Sequence, residues 1–252
     1  MEKNQTTIIK FKTLESNGDP ANLVKLRTRR PHLAHQMMIN YEHLHYNYEL
    51  IQSKNLHTPL KSLKFINLLL ILFNETDLES SMILQNISMR LKSLSFLQEL
   101  WFQFYDSNWI SLEGVKHLAG ALTQLKLLKK LTLCFESCQW VNDESLHYTL
   151  QGLKKNKNIQ ALDLDLCNCT NITEKSFKFL VSIFKRSLKP LKEYWLRLWG
   201  LDFTKGVPLE LLASGLTFLK DLQKLRIDFT NVKVPQGVDF SCFMLSIGHL
   251  QS

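Results

Sequence analysis

Two carboxylates, Asp163 and Asp165, stand two residues apart in this 252-residue chain. Paired carboxylates serve acid–base catalysis or bind divalent cations when a histidine, a nucleophile or further ligands lie beside them. No such group is placed beside this pair, and the sequence contains no H-E-x-x-H motif, glycine-rich phosphate loop or kinase signature. We therefore predict that the protein is not an enzyme and needs no cofactor.

Four of the five cysteines, Cys134, Cys138, Cys167 and Cys169, are the alternative candidates for a chemical site, as zinc ligands. Their spacings, C-x3-C and C-x-C, match structural zinc motifs poorly. Five cysteines in a chain of this length, without a secretion signal, also do not indicate a disulfide scaffold. We predict free thiols in a reducing, intracellular compartment and no bound metal.

Aromatic and arginine side chains offer a different chemistry, that of a protein interface. Trp101 and Tyr105 are four residues apart, and so are Trp195 and Trp199, with Arg197 between the last two. Such side chains carry most of the binding energy of protein interfaces when they project from a rigid surface. The alternative is that they only cover a sheet or pack against a tail. The charged candidates near them are Glu136, Asp163, Asp165, Arg226 and Asp228.

An internal repeat predicts the strands and helices that position these residues. Its units start at Ile66, Leu97, Leu128, Ile159, Leu191 and Leu222, a spacing of 31 or 32 residues. Counting each start as position 0, the apolar positions 3, 5 and 7 alternate as in a strand with one buried face. Positions 18, 21, 25 and 28 are apolar at helical spacing. Each unit therefore predicts a strand followed by a helix.

The match is too good to be accidental. The eight positions hold 45 apolar residues in 48, against about 22 expected by chance from a 45% apolar composition. The exceptions are Thr149, Asn156 and Ser187, and a one-residue insertion lets Leu188 take the place of Ser187. We expect helices near 81–94, 112–125, 143–156, 174–188, 206–219 and 237–250.

The pattern L-x-x-L-x-L followed by a helix resembles the leucine-rich repeat, and the unit length with a full helix resembles its ribonuclease-inhibitor-like class. The resemblance covers residues 66–252 and implies an α/β solenoid, with a curved parallel β-sheet on the concave face and helices on the convex face. The cysteine or asparagine expected after the strand occurs only in part, as Cys138 and Cys169 at position 10, which we expect to stack in neighbouring units. Trp109 and Trp140, both at position 12, are expected to stack on each other.

In such a solenoid, positions 4, 6 and 8 line the concave face, where all ten interface candidates lie. The first unit would present Leu70, Leu72 and Asn74 there. We predict a non-enzymatic scaffold that binds a protein partner through this face. The alternatives are an adaptor or substrate-receptor subunit of a larger complex, a GTPase-activating protein on the same repeat type, and a nucleic-acid-binding protein.

Residues 1–65 precede the repeat and carry a net charge of +5, out of +8 for the whole chain. We expect about 34–64 to form a degenerate capping unit and about 1–20 to be flexible. The strand positions of that unit would be His35, Met38, Asn40 and Glu42. The most apolar run, Phe65 to Phe73, is too short to span a bilayer. We therefore expect a cytoplasmic protein without a membrane partner.

Basic residues collect at the predicted helix C-termini and in the turns that follow, whereas acidic residues collect at helix starts. The bases are Arg90, Lys92, Lys126, Lys129, Lys154, Lys155, Lys157, Lys185, Arg186, Lys189 and Lys220. The main interpretation is that they complement the helix dipoles. Because the repeat aligns them along one edge, nucleic acid is the alternative partner, and a strong salt dependence of binding would favour it.

The last predicted helix presents Phe240, Phe243, Ile247 and Leu250, and a seventh unit would start just after Ser252. Terminal solenoid units normally carry a polar outer face. We expect this end to be covered by further polypeptide, a partner or a second copy of the chain.

Overall fold

A computed structural model describes residues 36–41, 65–70, 77–104, 110–204 and 209–236, with side chains from Leu84 onward. The described strands are β1 Gln36–Tyr41, β2 Phe65–Leu70, β3 Glu99–Phe104, β4 Lys130–Cys134, β5 Ala161–Asp165, β6 Glu193–Arg197 and β7 Lys224–Asp228. The described helices are α1 Asp77–Lys92, α2 Leu112–Leu122, α3 Asp143–Leu153, α4 Glu174–Arg186 and α5 Leu209–Leu216. These strands form one parallel sheet in chain order, which confirms the predicted α/β repeat solenoid.

Burial alternates along the strands as the repeat predicts. Leu131 and Leu133 of β4 are buried, and so are Tyr194 and Leu196 of β6. They join Leu118, Leu122 and the other helical apolar positions in one continuous core. A single strand–helix unit has no partner for this apolar face, so stacking of units supplies the stability. Among the described helices, none combines the length and the hydropathy that crossing a bilayer requires.

The strand of the first unit lies three residues earlier than predicted. Equal spacing would align Leu69 with Leu100, whereas Ile66 pairs with Leu100 and Leu70 with Phe104. The helical half keeps its predicted positions, since Leu84 and Leu91 are buried. The interval between the strand columns and the buried helical positions is therefore three residues longer in this unit than in the next. Leu70 pairs with Phe104 and Asn67 with Trp101, so Leu70 does not occupy the predicted place beside Trp101. Leu72 and Asn74 lie outside the described residues.

The N-terminal segment contributes a strand of its own, β1, which pairs in parallel with β2. Its register differs by one residue from the expected one, because Met37 pairs with Ile66 and Ile39 with Leu68. The expected strand positions Met38 and Asn40 therefore belong to the opposite register columns. In the observed register, Met37 and Ile39 of β1 lie in the same columns of the sheet as Leu100 and Phe102, which are buried in β3.

Helices α2, α3 and α4 begin at the predicted residues, but they end two or three residues early. The apolar residue at position 28 lies in the turn after the helix and is still buried, as Leu125 shows. Helix α1 begins at Asp77, four residues before its predicted start. The predicted final helix 237–250, with Phe240 and Phe243, lies outside the described residues.

The polar exceptions to the repeat are buried and form hydrogen bonds. Thr149 Oγ1 donates to the Ser145 carbonyl at 3.0 Å, and Asn156 Nδ2 donates to the Leu122 carbonyl at 2.6 Å. Ser187 Oγ donates to the Lys154 carbonyl at 2.8 Å, while Leu188 fills the core position, as the insertion predicted. The last two bonds connect neighbouring units, so these polar residues hold the stack together where an apolar residue is missing.

A left-handed residue recurs at position 9, three residues after the end of the strand. Ser137, Asn168 and Asn231 have φ values of 55 to 59°, and Gly200 has a φ of 74°. A Cβ on Gly200 would collide with Asn168 Oδ1, so this unit requires glycine, whereas its neighbours tolerate a small polar residue.

Asp143 connects two helix N-termini. Its Oδ1 accepts hydrogen bonds from the Thr173 backbone N–H at 2.8 Å and from Ser176 Oγ at 2.6 Å, and its Oδ2 accepts one from Thr173 Oγ1 at 2.6 Å. Thr173 is itself the N-cap of α4. Burial works to raise the pKa of Asp143, but the bonds from Ser176 and Thr173 outweigh it and lower the pKa below its usual value.

We expect Asp143→Ala to lower the free energy of unfolding by about 1 to 2 kcal/mol at pH 7, the range for losing a helix cap and its hydrogen bonds. Since the folded-state pKa is depressed, this stabilisation is present above the unfolded-state pKa of about 4 and disappears as the pH falls through the folded value. Urea unfolding at pH 7 and pH 3 measures it. Glu144→Ala, in the same helical turn but exposed, is the control; an equal loss in both variants would contradict the assignment.

Candidate functional site

One face of the sheet carries mostly exposed or half-buried side chains, with Asp165 and Cys167 as buried exceptions. It is formed by positions 2, 4 and 6 of strands β3 to β7 and by position 8, which follows each strand, and is hereafter called the open face. The strand register aligns its residues in rows across neighbouring units. The position 4 row is Trp101, Thr132, Asp163, Trp195 and Arg226. The position 6 row is Gln103, Cys134, Asp165, Arg197 and Asp228. Seven of the ten predicted interface residues therefore lie in these two rows. Glu136 and Trp199 follow β4 and β6 at position 8, and Tyr105 lies outside the described residues.

Three tryptophans project from the open face. Trp101 is 40% exposed, and Trp195 and Trp199 are each 37% exposed, which confirms their predicted accessibility. The Arg226 guanidinium lies 5.6 Å from the centre of the Trp195 ring, in cation–π range. This contact orients Trp195 and leaves more than a third of its surface accessible.

Arg197 connects two carboxylates on the neighbouring strand. Its Nη2 donates to Asp163 Oδ2 and its Nη1 to Asp165 Oδ2, both at 2.9 Å. The strands supply this geometry, because Asp165 and Arg197 are register partners and Asp163 lies two residues from Asp165 on the same face. The planar fork of an arginine suits two acceptors at once. Both terminal nitrogens of Arg197 are therefore engaged within the chain.

Asp165 is the buried member of this group. Besides the bond from Arg197, its Oδ1 accepts a hydrogen bond from the Cys167 backbone N–H at 3.0 Å, and its Oδ2 accepts one from the Cys134 thiol at 3.6 Å. Burial raises the pKa of Asp163, and the nearby Arg197 charge opposes that rise. Burial and the Asp165 charge raise the pKa of Cys134 to about 12, so this thiol is protonated at neutral pH.

The remaining carboxylates border this centre. Burial, then the Asp165 charge, raises the pKa of Glu136. The hydrogen bonds from Thr230 lower the pKa of Asp228. At position 2, two further ion pairs cross strands, Lys130–Glu99 at 3.5 Å and Lys224–Glu193 at 2.7 Å. Sequence analysis missed them, although opposite charges at one repeat position on adjacent strands are a readable signal.

Cys134, Glu136 and Asp165 bring three potential metal ligands within 4.8 Å of one another. The chemistry of this cluster opposes a cation. Arg197 already places a positive charge on Asp165, and Cys134 keeps its proton. A metal ion would have to displace both, so we assign no metal to these residues.

Two further cysteines belong to the core. Cys138 and Cys169 are fully buried in neighbouring units, and the Cys169 thiol donates to the Phe135 carbonyl at 3.0 Å. Burial raises the pKa values of Cys167 and Cys169 well above their ordinary value. Trp140 packs edge-on against Phe104 and Phe135, with ring centres 5.5 and 5.4 Å away. Its expected partner Trp109 lies outside the described residues.

A shallow hollow of about 170 Å³ lies on the open face beside Trp195. The residues that line it include Lys130, Thr132, Ala161, Asp163 and Glu193. Small-molecule sites usually enclose about 300 to 1,000 Å³. The hollow is thus of the size to receive one side chain from a partner and too small for most metabolites.

No protein-family model and no curated protein matches the chain. Among solved structures, the chain is similar to leiomodin-1 actin-binding site 2, at 18% identity over 65% of this chain and 84% of that chain, with a TM-score of 0.47. It is also similar to the tropomodulin C-terminal domain from Caenorhabditis elegans, at 12% identity over 67% of this chain and 90% of that chain, again with a TM-score of 0.47. Likenesses at this level of identity concern the fold and carry over no partner.

Proposed function

We propose that the protein is a non-enzymatic scaffold that binds a protein partner through the open face of its leucine-rich-repeat sheet. The observation that carries this proposal is the exposure of Trp101, Trp195 and Trp199 on one rigid face. Exposed tryptophans lose apolar contact with water when a partner covers them, and they are enriched among the residues that dominate interface energetics.

The polar residues between the tryptophans act as a preorganised centre. Because Arg197 is held by Asp163 and Asp165, it needs no reordering when a partner arrives, which lowers the entropic cost of binding. Arg226, by contrast, is exposed and stands over Trp195, so it is available to a carboxylate or carbonyl of the partner. We therefore assign anchoring to the tryptophans and Arg226, and positioning to Arg197.

The unit length of 31 or 32 residues with a helix in each unit supports the ribonuclease-inhibitor-like class for these repeats. The small hollow and the protonated thiols favour a binding role over catalysis.

The test uses the full chain and the variant Trp101→Ala/Trp195→Ala/Trp199→Ala. Affinity capture identifies proteins retained by the intact chain and lost by the variant, and titration calorimetry then measures each single substitution against that partner. We expect each tryptophan to contribute about 2 kcal/mol, which weakens the dissociation constant about thirtyfold.

Met89→Ala/Phe96→Ala/Leu127→Ala is the matched control, because it removes three exposed apolar side chains outside the open face. It is expected to keep every partner that depends on the tryptophans. If the two triple variants lose the same proteins, or if the tryptophan variant loses none, the open face is not the binding surface.

A further inference from the structure

The turns that lead from each helix into the next strand concentrate the positive charge of the chain. Residues 90–98, 122–129, 153–160, 185–192 and 216–223 contain twelve Lys or Arg and one acid, Asp221. Their net charge of +11 exceeds the +8 of the whole chain. Within residues 66–252 the positive charge is therefore concentrated at one edge of the solenoid, hereafter called the basic edge, while residues 1–65 carry a further net charge of +5.

One lysine recurs at the same place in four consecutive turns. Lys126, Lys157, Lys189 and Lys220 each stand two residues before a unit start, and all four are exposed. The main chain beside them continues the sheet ladder, because the Lys129 N–H donates to the Gln98 carbonyl and the Lys192 N–H to the Gln160 carbonyl, both at 2.7 Å. The lysines thus recur at one position along the stack of units, close to backbone that is tied to the sheet.

Helix dipoles do not explain the whole row, although Lys126 Nζ donates a hydrogen bond to the carbonyl of Thr123, the C-cap of α2. Helices α2, α3 and α5 have no basic residue in their last turn, and the recurring lysines lie beyond the helix ends. Dipole compensation decays within that last turn. Within the described part of the chain, these four lysines form no ion pair, whereas Lys130 and Lys224 on the open face do.

The basic edge also exposes two large apolar side chains. Phe96 is 56% exposed and Leu127 is 42% exposed. Both stand one residue before a unit start, in neighbouring turns, so they lie side by side at the tips of the edge. Leu127 directly follows Lys126, and Lys92 and Lys129 are near in the same two turns.

We propose that the basic edge docks on the surface of an anionic phospholipid membrane, with Phe96 and Leu127 entering the interfacial layer. Lysines close to such a surface attract its charge, and apolar side chains at the tips add burial in the headgroup region. The turns of the basic edge would contact the membrane surface, and the open face would stay available for a protein partner. The sequence expectation of no membrane partner relied only on the lack of a spanning segment, which peripheral docking does not need.

Nucleic acid is the competing polyanion, and two observations favour lipid. Ten of the twelve basic residues in these turns are lysine, which lacks the planar fork that binds phosphate groups bidentately. A phosphate backbone in water also offers no apolar layer for Phe96 and Leu127, whereas a bilayer interface does.

The experiment is cosedimentation of the full chain with vesicles of phosphatidylcholine alone or with about 30% phosphatidylserine, at physiological salt. We expect binding to the anionic vesicles only. Lys126→Glu/Lys157→Glu/Lys189→Glu/Lys220→Glu is expected to lower the partition coefficient at least tenfold. Phe96→Ser/Leu127→Ser, which keeps every charge, is expected to lower it about fivefold.

Lys116→Glu/Lys175→Glu/Lys178→Glu/Lys233→Glu is the charge-matched control, since it makes the same change in net charge elsewhere on exposed lysines. It is expected to retain most of the binding, and circular dichroism checks that every variant is folded. Equal loss in the two lysine variants, no preference for phosphatidylserine, or unchanged binding of Phe96→Ser/Leu127→Ser would each overturn the proposal. Tighter, lysine-dependent binding of an oligonucleotide that displaces the vesicles would also overturn it, in favour of a nucleic-acid site.

Discussion

Replacing Arg197 with alanine is expected to lower the free energy of unfolding by about 3 kcal/mol at pH 7, the lower end of the range for removing one partner of a buried ion pair. The lower end applies because Arg197 is one-third exposed, whereas its partner Asp165 is buried. The substitution leaves Asp163 and Asp165 close together without a counter-charge. Both carboxylates then pay the cost of burial and of mutual repulsion.

The loss should depend on pH in a direction that identifies its cause. Without Arg197, burial and the neighbouring Asp165 charge act unopposed to raise the folded-state pKa of Asp163 above its unfolded value. A carboxyl group with a raised pKa destabilises the fold when it is ionised, and the penalty disappears as the pH falls through the folded-state value. We therefore expect the deficit of Arg197→Ala to shrink between pH 7 and pH 4.5, as measured by urea unfolding.

Two controls accompany this measurement. Arg226→Ala removes an arginine from the next strand that forms no ion pair within the described residues, and it should cost less than about 1 kcal/mol. Adding Asp163→Asn and Asp165→Asn to Arg197→Ala should recover much of the loss at pH 7. A deficit that is the same at both pH values and persists in the triple variant would show that the Arg197 stem, and not its charge, supports the fold.

The repeat could be predicted from sequence wherever its apolar positions are separated by polar ones. In β4, Leu131 and Leu133 alternate with Lys130 and Thr132, so the buried face and the register are unambiguous. Every open-face residue predicted from β4 to β7 lies on that face for this reason. Alternation specifies the face of a strand because a shift by one residue would bury all its polar side chains.

The first strand could not be placed in this way. Residues 68–73 are all apolar, so the period of two disappears and any register buries the same kind of side chain. Extrapolating from the helix with Leu84 then placed the strand three residues late. In β1, the adjacent Met37 and Met38 create the same ambiguity. The observed register differs from the predicted one by one residue, because Met37 and not Met38 pairs with Ile66.

The site was predicted as a set of neighbours but not as a network. Sequence spacing places Asp163, Asp165 and Arg197 on adjacent strands of one face. It does not show that one arginine holds both carboxylates, nor that Asp165 is buried. These properties depend on side-chain rotamers and on the Cys167 N–H that turns toward Asp165 at the end of the strand. The interface role of Arg197 changes accordingly from anchoring to positioning.

Helices α2 and α3 approach each other so closely at Gly152 that there is no room for a side chain at this position. A Cβ added to Gly152 would lie 2.8 Å from the Ala119 carbonyl oxygen and 2.9 Å from the Ala119 Cα. Both atoms belong to the backbone of α2, so they move only if the helices separate. We expect Gly152→Ala to lower the free energy of unfolding by about 3 kcal/mol, the upper part of the range for overpacking a core.

Gly120→Ala is the matched control, one helix earlier. Its Cβ would meet only Lys92 Cε and Nζ, at 3.8 Å, at the flexible end of a side chain. Alanine is favoured over glycine in a helix by up to about 1 kcal/mol, so this variant should be more stable than the wild type. The two Gly→Ala variants are thus expected to shift the urea midpoint in opposite directions.

Gly215 occupies the same repeat position as Gly152, but its new Cβ would meet a side chain and not a backbone. The two positions therefore distinguish the two causes of overpacking. A Cβ there would lie 2.5 Å from Val181 Cγ2, a side-chain atom. Val181→Ala should therefore restore stability that Gly215→Ala loses, because it removes the side-chain atoms that the new Cβ meets. Ala119→Gly should not restore the stability that Gly152→Ala loses, because the backbone of α2 stays in place. Urea unfolding of the two double variants decides the point. If Ala119→Gly restored the stability of Gly152→Ala, the spacing of α2 and α3 would be set by the Ala119 methyl group, and not by contact between their backbones.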